Sequence, residues 1–473
     1  MSTLMLIGLL AAPAVSVPLP PTAAGNAPAS VLSAPIAPEQ GPAQSITLGD
    51  PVPAQWWQAF GSAKLDALVA ATLKGSDDIA AADALLRQAE ELARAAGGAR
   101  SPTLDASYGV TRARVGNALS SPLYDPNAML YSLHTAQVSV GYTLDVFGGV
   151  GAKVRSAQAA AKAQKLRSHA AKQAVVANLV QAVINRGALI EEVAATQESI
   201  AAASDLLELT RRRAQIGTVG TSDVAAQETA LAAAQGALPT LQRALKHEEA
   251  LIATYLGQAP GSDLPPLPAL DELHLPENLP LSLPAQVLAQ RPDVQVAAAN
   301  LEGAAADAKA AVAARLPSFT LSANYGGTAT SFGDMFASGN PFWALLGGVS
   351  QPLLRGGSLL HQSHAAKAAL EAAQAQYRST ALAAFADLSD TLTALKLDGD
   401  ALDAAGRGDR ASAESLANIR RQFELGAVGT YQLLPVVEAR AQARSQWVQS
   451  RAARLGDTVA LYLALGGSPV PNR

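Results

Sequence analysis

The 473-residue chain has no cysteine, which excludes disulfides, thiolate metal sites, thiol nucleophiles and CxxC redox chemistry. Charged residues make up only 16% and aromatics 4%. With 35 Lys+Arg against 39 Asp+Glu and no basic block, the composition speaks against nucleic acid as a partner. No uninterrupted run of about 18 apolar residues occurs, so a transmembrane helix is not expected. A GxSxG elbow, a Walker loop, a GxGxxG behind a strand and an HExxH are also missing, and no enzyme is read from the sequence. His361 and His364 have i, i+3 spacing but lack a third ligand and read as helix surface. The paired acids Asp77-Asp78, Glu191-Glu192 and Glu248-Glu249 are adjacent in sequence, so on a helix they diverge and make poor acid/base pairs. No metal or cofactor is expected.

What the chain does have is alanine: hydrophobic residues reach 49%, and mean hydropathy is +0.14. Alanine favours helix strongly while burying little area per residue. At the start, Leu4 to Ala14 has the length of a signal-peptide apolar region, so residues 1–16 are read as a signal. The basic residues that normally precede such a region are missing, since none occurs before Lys64; the alternative is a disordered leader. Residues 17–60 are proline-rich and read as an extended segment.

The chain repeats itself once. Thr210 to Ala230 lies over Ile419 to Ala439 at a constant offset of 209, with Arg211/Arg420, Arg212/Arg421, Gly217/Gly426, Val219/Val428, Gly220/Gly429 and Thr221/Thr430 as identical pairs. A period this long marks a duplicated domain, not a solenoid. The halves are 61–257 and 286–473, joined by a proline-rich linker, 258–285. Each holds a helix, two strands, a very long helix and a shorter return helix.

The strands are expected at 102–115 and 135–145, then at 317–326 and 342–353. Ala136, Val138, Val140 and Tyr142 alternate with Gln137, Ser139, Gly141 and Thr143; Phe319, Leu321, Ala323 and Tyr325 alternate with Thr320, Ser322 and Asn324. A period of two gives one apolar and one polar face, and segments of about 9–11 residues suit tilted membrane strands. Four such strands in one chain leave open edges that lipid cannot satisfy, so other copies must close them.

The long helices are expected at 149–216 and 358–425, and the returns at 221–256 and 430–465. Gly148 to Gly217 and Gly357 to Gly426 span 69 residues in both halves, without proline, or about 100 Å of helix. Gly187, Gly399, Gly406 and Gly408 are candidate bends. At the turns, glycine supplies the left-handed residue, and Thr221 or Thr430 is the expected N-cap. Each return helix has half its partner's length, so a second short helix must stack end to end with it.

This arrangement resembles the TolC-like outer-membrane efflux family, in particular its NodT-type branch. The matching pieces are Trp56-Trp57-Gln58-Ala59-Phe60-Gly61, Tyr142 to Gly149, Gln290-Arg291-Pro292-Asp293-Val294, Leu316-Pro317-Ser318-Phe319 and both Gly-x-x-Gly-Thr turns, over about residues 50–468. The resemblance implies a mostly α fold with a membrane β-barrel portion: a homotrimer whose four strands per chain close a 12-stranded barrel, above a long α-helical barrel. It implies an exit duct for small molecules in the cell outer membrane, among outer-membrane lipid. The duct would span the periplasm to an adaptor protein and an inner-membrane RND pump. Relatives in this branch carry a lipobox cysteine; with none here, no acyl anchor of that kind is expected. The alternatives are the outer component of a type I protein secretion system and a non-channel helical scaffold.

The resemblance also places the functional tip. Gly217, Gly220, Thr221, Gly426, Gly429 and Thr430 would contact the adaptor. Asp223 matches the family's tip aspartate, whereas the second half has Gln432 and Pro435 where relatives have acids, with Glu438 a turn further on. Asp223 has two readings: a first-turn acid favouring its helix N-terminus, or a gate contact pairing with Arg420 or Arg421. Those arginines equally suit a solvated face.

Overall fold

Both proline-free stretches fold as single uninterrupted helices of 67 residues, Gly149–Gln215 and Ser358–Glu424. The computed structural model describes residues 36–48, 52–114, 130–281 and 290–467; the expected signal and half of the extended N-terminal segment lie outside these residues. In chain order the elements are β1 (Ser45–Leu48), α1 (Ala63–Gly75), α2 (Asp77–Gly98), β2 (Thr103–Arg114), β3 (Leu130–Leu144), α3 (Gly149–Gln215) and α4 (Thr221–Tyr255). There follow β4 (Asn278–Leu281), α5 (Pro292–Ala313), β5 (Ser318–Ala329), β6 (Pro341–Ser350), α6 (Ser358–Glu424) and α7 (Thr430–Ala464). Two compact units result, and each draws on both sequence repeats.

The first unit holds residues 87–164 and 297–377. Its sheet is antiparallel in the order β2-β3-β5-β6, so the two hairpins join through β3 and β5. Beneath the strands, Asp145 caps α3 by accepting the N–H groups of Val150 (2.8 Å) and Gly151 (2.6 Å). Ala152, Ala163 and Ala299 are fully buried, and Gly303 faces Ala159, so small side chains let α3 and α5 approach closely.

The second unit holds the remaining described residues and the main core. Trp56 is fully buried, stacks on Tyr462 at 5.3 Å and donates from Nε1 to Gln173. Around it pack Leu65 and Leu68 of α1, Leu179, Val183 and Ile184 of α3, and Leu455, Leu461 and Leu465. Helix α3 contains a window long and apolar enough to cross a membrane by length and composition alone, but 56% of that window is buried within the protein, as in a core helix. Arg291 is the second anchor. It donates to Asp293 (2.7 Å), Asp387 (3.0 Å) and the carbonyl of Ala464 (3.1 Å), tying the start of α5 to α6 and to the end of α7. Burial alone would raise the Asp293 carboxyl, but the Arg291 guanidinium holds it below its ordinary value.

The structure corrects several sequence expectations. The single helix expected ahead of the first pair of strands is two helices, broken at Ser76, whose backbone is extended where Gly75 meets the end of α4. Trp56–Phe60 is a 3-10 turn inside the segment read as extended. The linker is more than a linker: it contains a 3-10 turn at Leu270–Glu272, and its β4 pairs in parallel with β1. Proline excludes helix from both segments, but it does not reveal a strand partner 233 positions away. Strand β3 starts at Leu130 instead of 135, because residues 130–134 pair with 110–114 despite weak alternation. The helix interiors do not break at the glycines. Instead a Cβ on Gly187 would lie 3.1 Å from Leu270, one on Gly399 3.1 Å from Ile36, and one on Gly406 2.8 Å from Trp447. These are close-approach positions.

The N-terminal strap is held by charge as well as by packing. Buried Arg454 donates to Gln44 Oε1 (3.2 Å) and the Pro42 carbonyl (2.8 Å), and Asp403 accepts the Gln40 N–H (2.9 Å). Nearby, burial and the neighbouring Asp457 carboxyl push Asp398 up to about 7, with Arg454 opposing. An acid whose folded value is raised binds more protons native than unfolded, so stability declines as pH rises from about 4 to about 7 and is flat above. Asp398→Asn is expected to remove that decline and to gain about 1–2 kcal/mol at pH 8 after allowance for solvent screening. Melting curves of the detergent-solubilised protein at pH 5 and pH 8 check it.

Candidate functional site

Residues of one parity in all four strands share a face. The register aligns Leu104, Val140, Ala323 and Leu345 in one row, Ala106, Val138, Tyr325 and Trp343 in the next, then Tyr108, Ala136, Gly327 and Pro341. The opposite face carries Asp105, Ser139, Asn324 and Ala344, and Thr103, Gly141, Ser322 and Leu346. On the apolar face Trp343 is 77% and Leu104 71% exposed, so nothing among the described residues covers these side chains. Strands of 12, 15, 12 and 10 residues exceed or match the span a tilted membrane strand needs. Among the described residues the outer edges of β2 and β6 have no neighbouring strand. In lipid, each unpaired backbone group would cost several kcal/mol, on the order of a lost buried hydrogen bond.

The helical tip lies in the second unit. Helices α3 and α6 end alike: Gly217 has φ 76° and Gly426 φ 73°. Thr218 N–H donates to Arg213 carbonyl (3.0 Å), and Ala427 N–H to Gln422 carbonyl (2.9 Å). This is the six-to-one closure in which a left-handed glycine satisfies the last helical carbonyls. The N-caps are Gly220 and Gly429, not Thr221 and Thr430, which begin the helices. Extended glycine leaves its own N–H free for a side chain three residues on. Asp223 accepts it in one repeat (3.0 Å) and Gln432 in the other (2.8 Å).

Asp223 therefore serves its own helix, and among the described residues it forms no ion pair with Arg420 or Arg421. Both arginines are exposed, as are Gln432, Pro435 and Glu438. Arg211 pairs with Glu228 (2.6 Å), and Arg212 with Glu208 on its own helix. At the tip, Arg213 crosses between the repeats. Its guanidinium stacks 4.3 Å from the Phe423 ring centre and donates to the Phe423 carbonyl (3.2 Å). Phe423 is buried with Leu206, Leu433 and Val437. Sequence reasoning missed this contact. Its one trace is that the duplication breaks there, with Ala214 opposite Phe423 and Gln422 opposite Arg213.

His361 and His364 sit edge to face at 6.2 Å, both exposed, and no metal-holding cluster occurs among the described residues.

A sheet that is apolar on one face, polar on the other and unpaired at both edges, continuous with 67-residue helices, is the subunit of a membrane channel completed by further strands. The comparisons agree. The family described as "Outer membrane efflux protein" matches residues 68–258 and 283–467, and the chain belongs to it. It is 30% identical over 457 residues to the pyoverdine export outer membrane protein OpmQ of Pseudomonas putida, covering 96% of this chain and 94% of that one. It is 29% identical over 436 residues to the toluene efflux pump outer membrane protein TtgC of Pseudomonas putida, covering 90% and 88%. The Campylobacter jejuni CmeC outer membrane channel shares the fold, with TM-score 0.80 at 19% identity over 89% of each chain. The protein is thus an outer-membrane component of efflux, in a family of channels.

Proposed function

We propose that three copies close a 12-stranded barrel and a helical tube, forming a passive exit duct for small molecules across the outer membrane and the periplasm. The observation that carries it is the four-stranded sheet with segregated faces and two unpaired edges. Closure by copies removes the edges, turns the apolar face to lipid and encloses the polar one around water. Such a duct performs no chemistry; it offers a path. An inner-membrane RND pump would deliver substrate through a periplasmic adaptor seated on Gly217, Gly220, Thr221, Gly426, Gly429 and Thr430. The names of OpmQ and TtgC pair this kind of component with pyoverdine and with toluene, which supports a duct that leaves selectivity to its pump.

At the tip, Asp223, Arg420, Arg421, Gln432 and Glu438 would line the aperture, held narrow by the Arg213–Phe423 contact. The test is single-channel recording in planar bilayers. The wild type is expected to give discrete, low-conductance steps. Asp223→Ala is expected to raise them modestly, since losing the cap loosens the α4 start by about 1 kcal/mol. Unchanged steps would remove Asp223 from the aperture, and no steps at all would remove the duct.

A further inference from the structure

The end of the sheet where all four strands meet helices carries an imbalance of charge that the duct does not use. The start of β2, the end of β3, the start of β5 and the end of β6 share that end by register, with Thr103 opposite Gly141, Leu144 opposite Phe319 and Ser318 opposite Ser350. In the four short segments 97–101, 145–155, 309–317 and 351–357 stand six cations, Arg100, Lys153, Arg155, Lys309, Arg315 and Arg355, against one acid, Asp145. That acid is already committed, with both carboxylate oxygens on the N–H groups of Val150 and Gly151. All six cations are exposed, and none forms an ion pair with a carboxylate among the described residues. They are also gathered in space. Atoms of Arg100, Arg155 and Lys309 all lie within 4 Å of where a Cβ would stand on Gly148 or Gly151. Gln351 Nε2 donates to the Arg315 carbonyl (3.1 Å), bringing the β5 start beside the β6 exit.

Apolar side chains adjoin the cations. Val146 is 59% exposed, Leu353 92% and Leu354 90%. Val146 follows the end of β3 by two residues and Leu353 follows the end of β6 by three, so exposed apolar side chains adjoin that end of the sheet. An apolar band that ends in exposed leucines and then in unpaired arginines and lysines fits a bilayer boundary: acyl chains cover the leucines, and long cationic side chains reach the headgroups.

We propose that this rim is a binding belt for the anionic headgroups of phospholipids in the leaflet on the helical side. The proposal rests on the barrel reading above. The belt fixes how deep the barrel sits, because sliding toward the helices would bury the cations in hydrocarbon and sliding away would strip the leucines of acyl contact. Phosphatidylglycerol, singly charged with an accessible phosphate, is the chemistry it takes; bidentate guanidinium contacts favour phosphate over the solvated surroundings.

The test uses the full chain reconstituted into phosphatidylcholine vesicles, with spin-labelled phosphatidylglycerol or phosphatidylcholine as probe and electron paramagnetic resonance to read the protein-associated fraction. The wild type is expected to prefer phosphatidylglycerol about fourfold, since one basic residue near an anionic surface supplies a factor of that order. The preference is expected to shrink toward unity at about 0.5 M salt. The triple variant Arg100→Gln, Arg315→Gln, Arg355→Gln is expected to lose most of it while keeping wild-type oligomer mobility on unheated gels. Equal association of the two lipids with the wild type, or an unchanged preference in the folded triple variant, overturns the belt and leaves the duct standing. If the triple variant loses its oligomer instead, the cations pair with a neighbouring chain and the proposal fails. If the wild type does not insert into vesicles, the barrel reading fails and takes the belt with it.

Discussion

Gly257→Ala is expected to destabilise the folded protein by about 4 kcal/mol or more, while Gly408→Ala, another glycine-to-alanine change, is expected to stabilise it. Gly257 follows the end of α4 at φ 71°, and a Cβ there would stand 2.0 Å from the carbonyl oxygen of Gly75. Reciprocally, a Cβ on Gly75 would lie 2.7 Å from the Leu256 carbonyl oxygen. The obstacle on both sides is backbone, which cannot rotate away as a side-chain end can. Left-handed strain of about 1 kcal/mol adds to an overlap worth about 3 kcal/mol or more. Against a total stability of roughly 5–15 kcal/mol, that is a large fraction of what holds the fold. Gly408 is a helical residue of α6 with nothing within 4 Å of its would-be Cβ, so alanine gains about 0.5–1 kcal/mol of helix propensity there. Heat-modifiable gel mobility and melting temperature of the two variants, made side by side, check the contrast.

The Gly257 contact is also the point at which lengths alone foresaw the topology. A return helix half as long as its partner needs a second helix stacked on its end. The α4 terminus does abut the α1–α2 junction, and Gly466 after α7 abuts Gln290 and Arg291 at the start of α5. Local signals carried this far because each is local: glycine at a left-handed position, two long stretches free of proline, alternation in the strands. The register that puts Val138 beside Tyr325 follows once the apolar faces must coincide. What local signals do not carry is long-range pairing. Nothing in Ser45–Leu48 announces Asn278–Leu281, and nothing in Arg291 announces that its partners lie on α6 and at the end of α7. The glycines inside the long helices were legible as glycines, but their use, to admit Leu270, Ile36 and Trp447, depends on partners the sequence does not order. At the tip, the charged residues drew attention because charge is conspicuous; the contact that joins the repeats runs through a phenylalanine.

Phe423→Ala is accordingly expected to raise single-channel conductance several-fold, more than Asp223→Ala. The substitution removes the ring beneath Arg213 and empties a cluster formed with Leu206, Leu433 and Val437. A buried Phe→Ala change costs about 3–5 kcal/mol, and at the end of two long helices that loss is spent on loosening the tip. A ring–guanidinium contact in an apolar cluster is screened less by salt than an exposed ion pair. The wild-type closed fraction should therefore change little between low and high ionic strength. Unchanged conductance in Phe423→Ala, or a closed state that opens with salt alone, would shift the latch to the exposed arginines.

The most direct measurement is the mass of the detergent-solubilised, unheated protein by light scattering with detergent correction. If three copies close the barrel as proposed, the protein component is expected at three times the 48.3 kDa of one chain, collapsing to one chain on boiling. A folded, monodisperse single chain, stable without partners, would contradict the channel built from these strands.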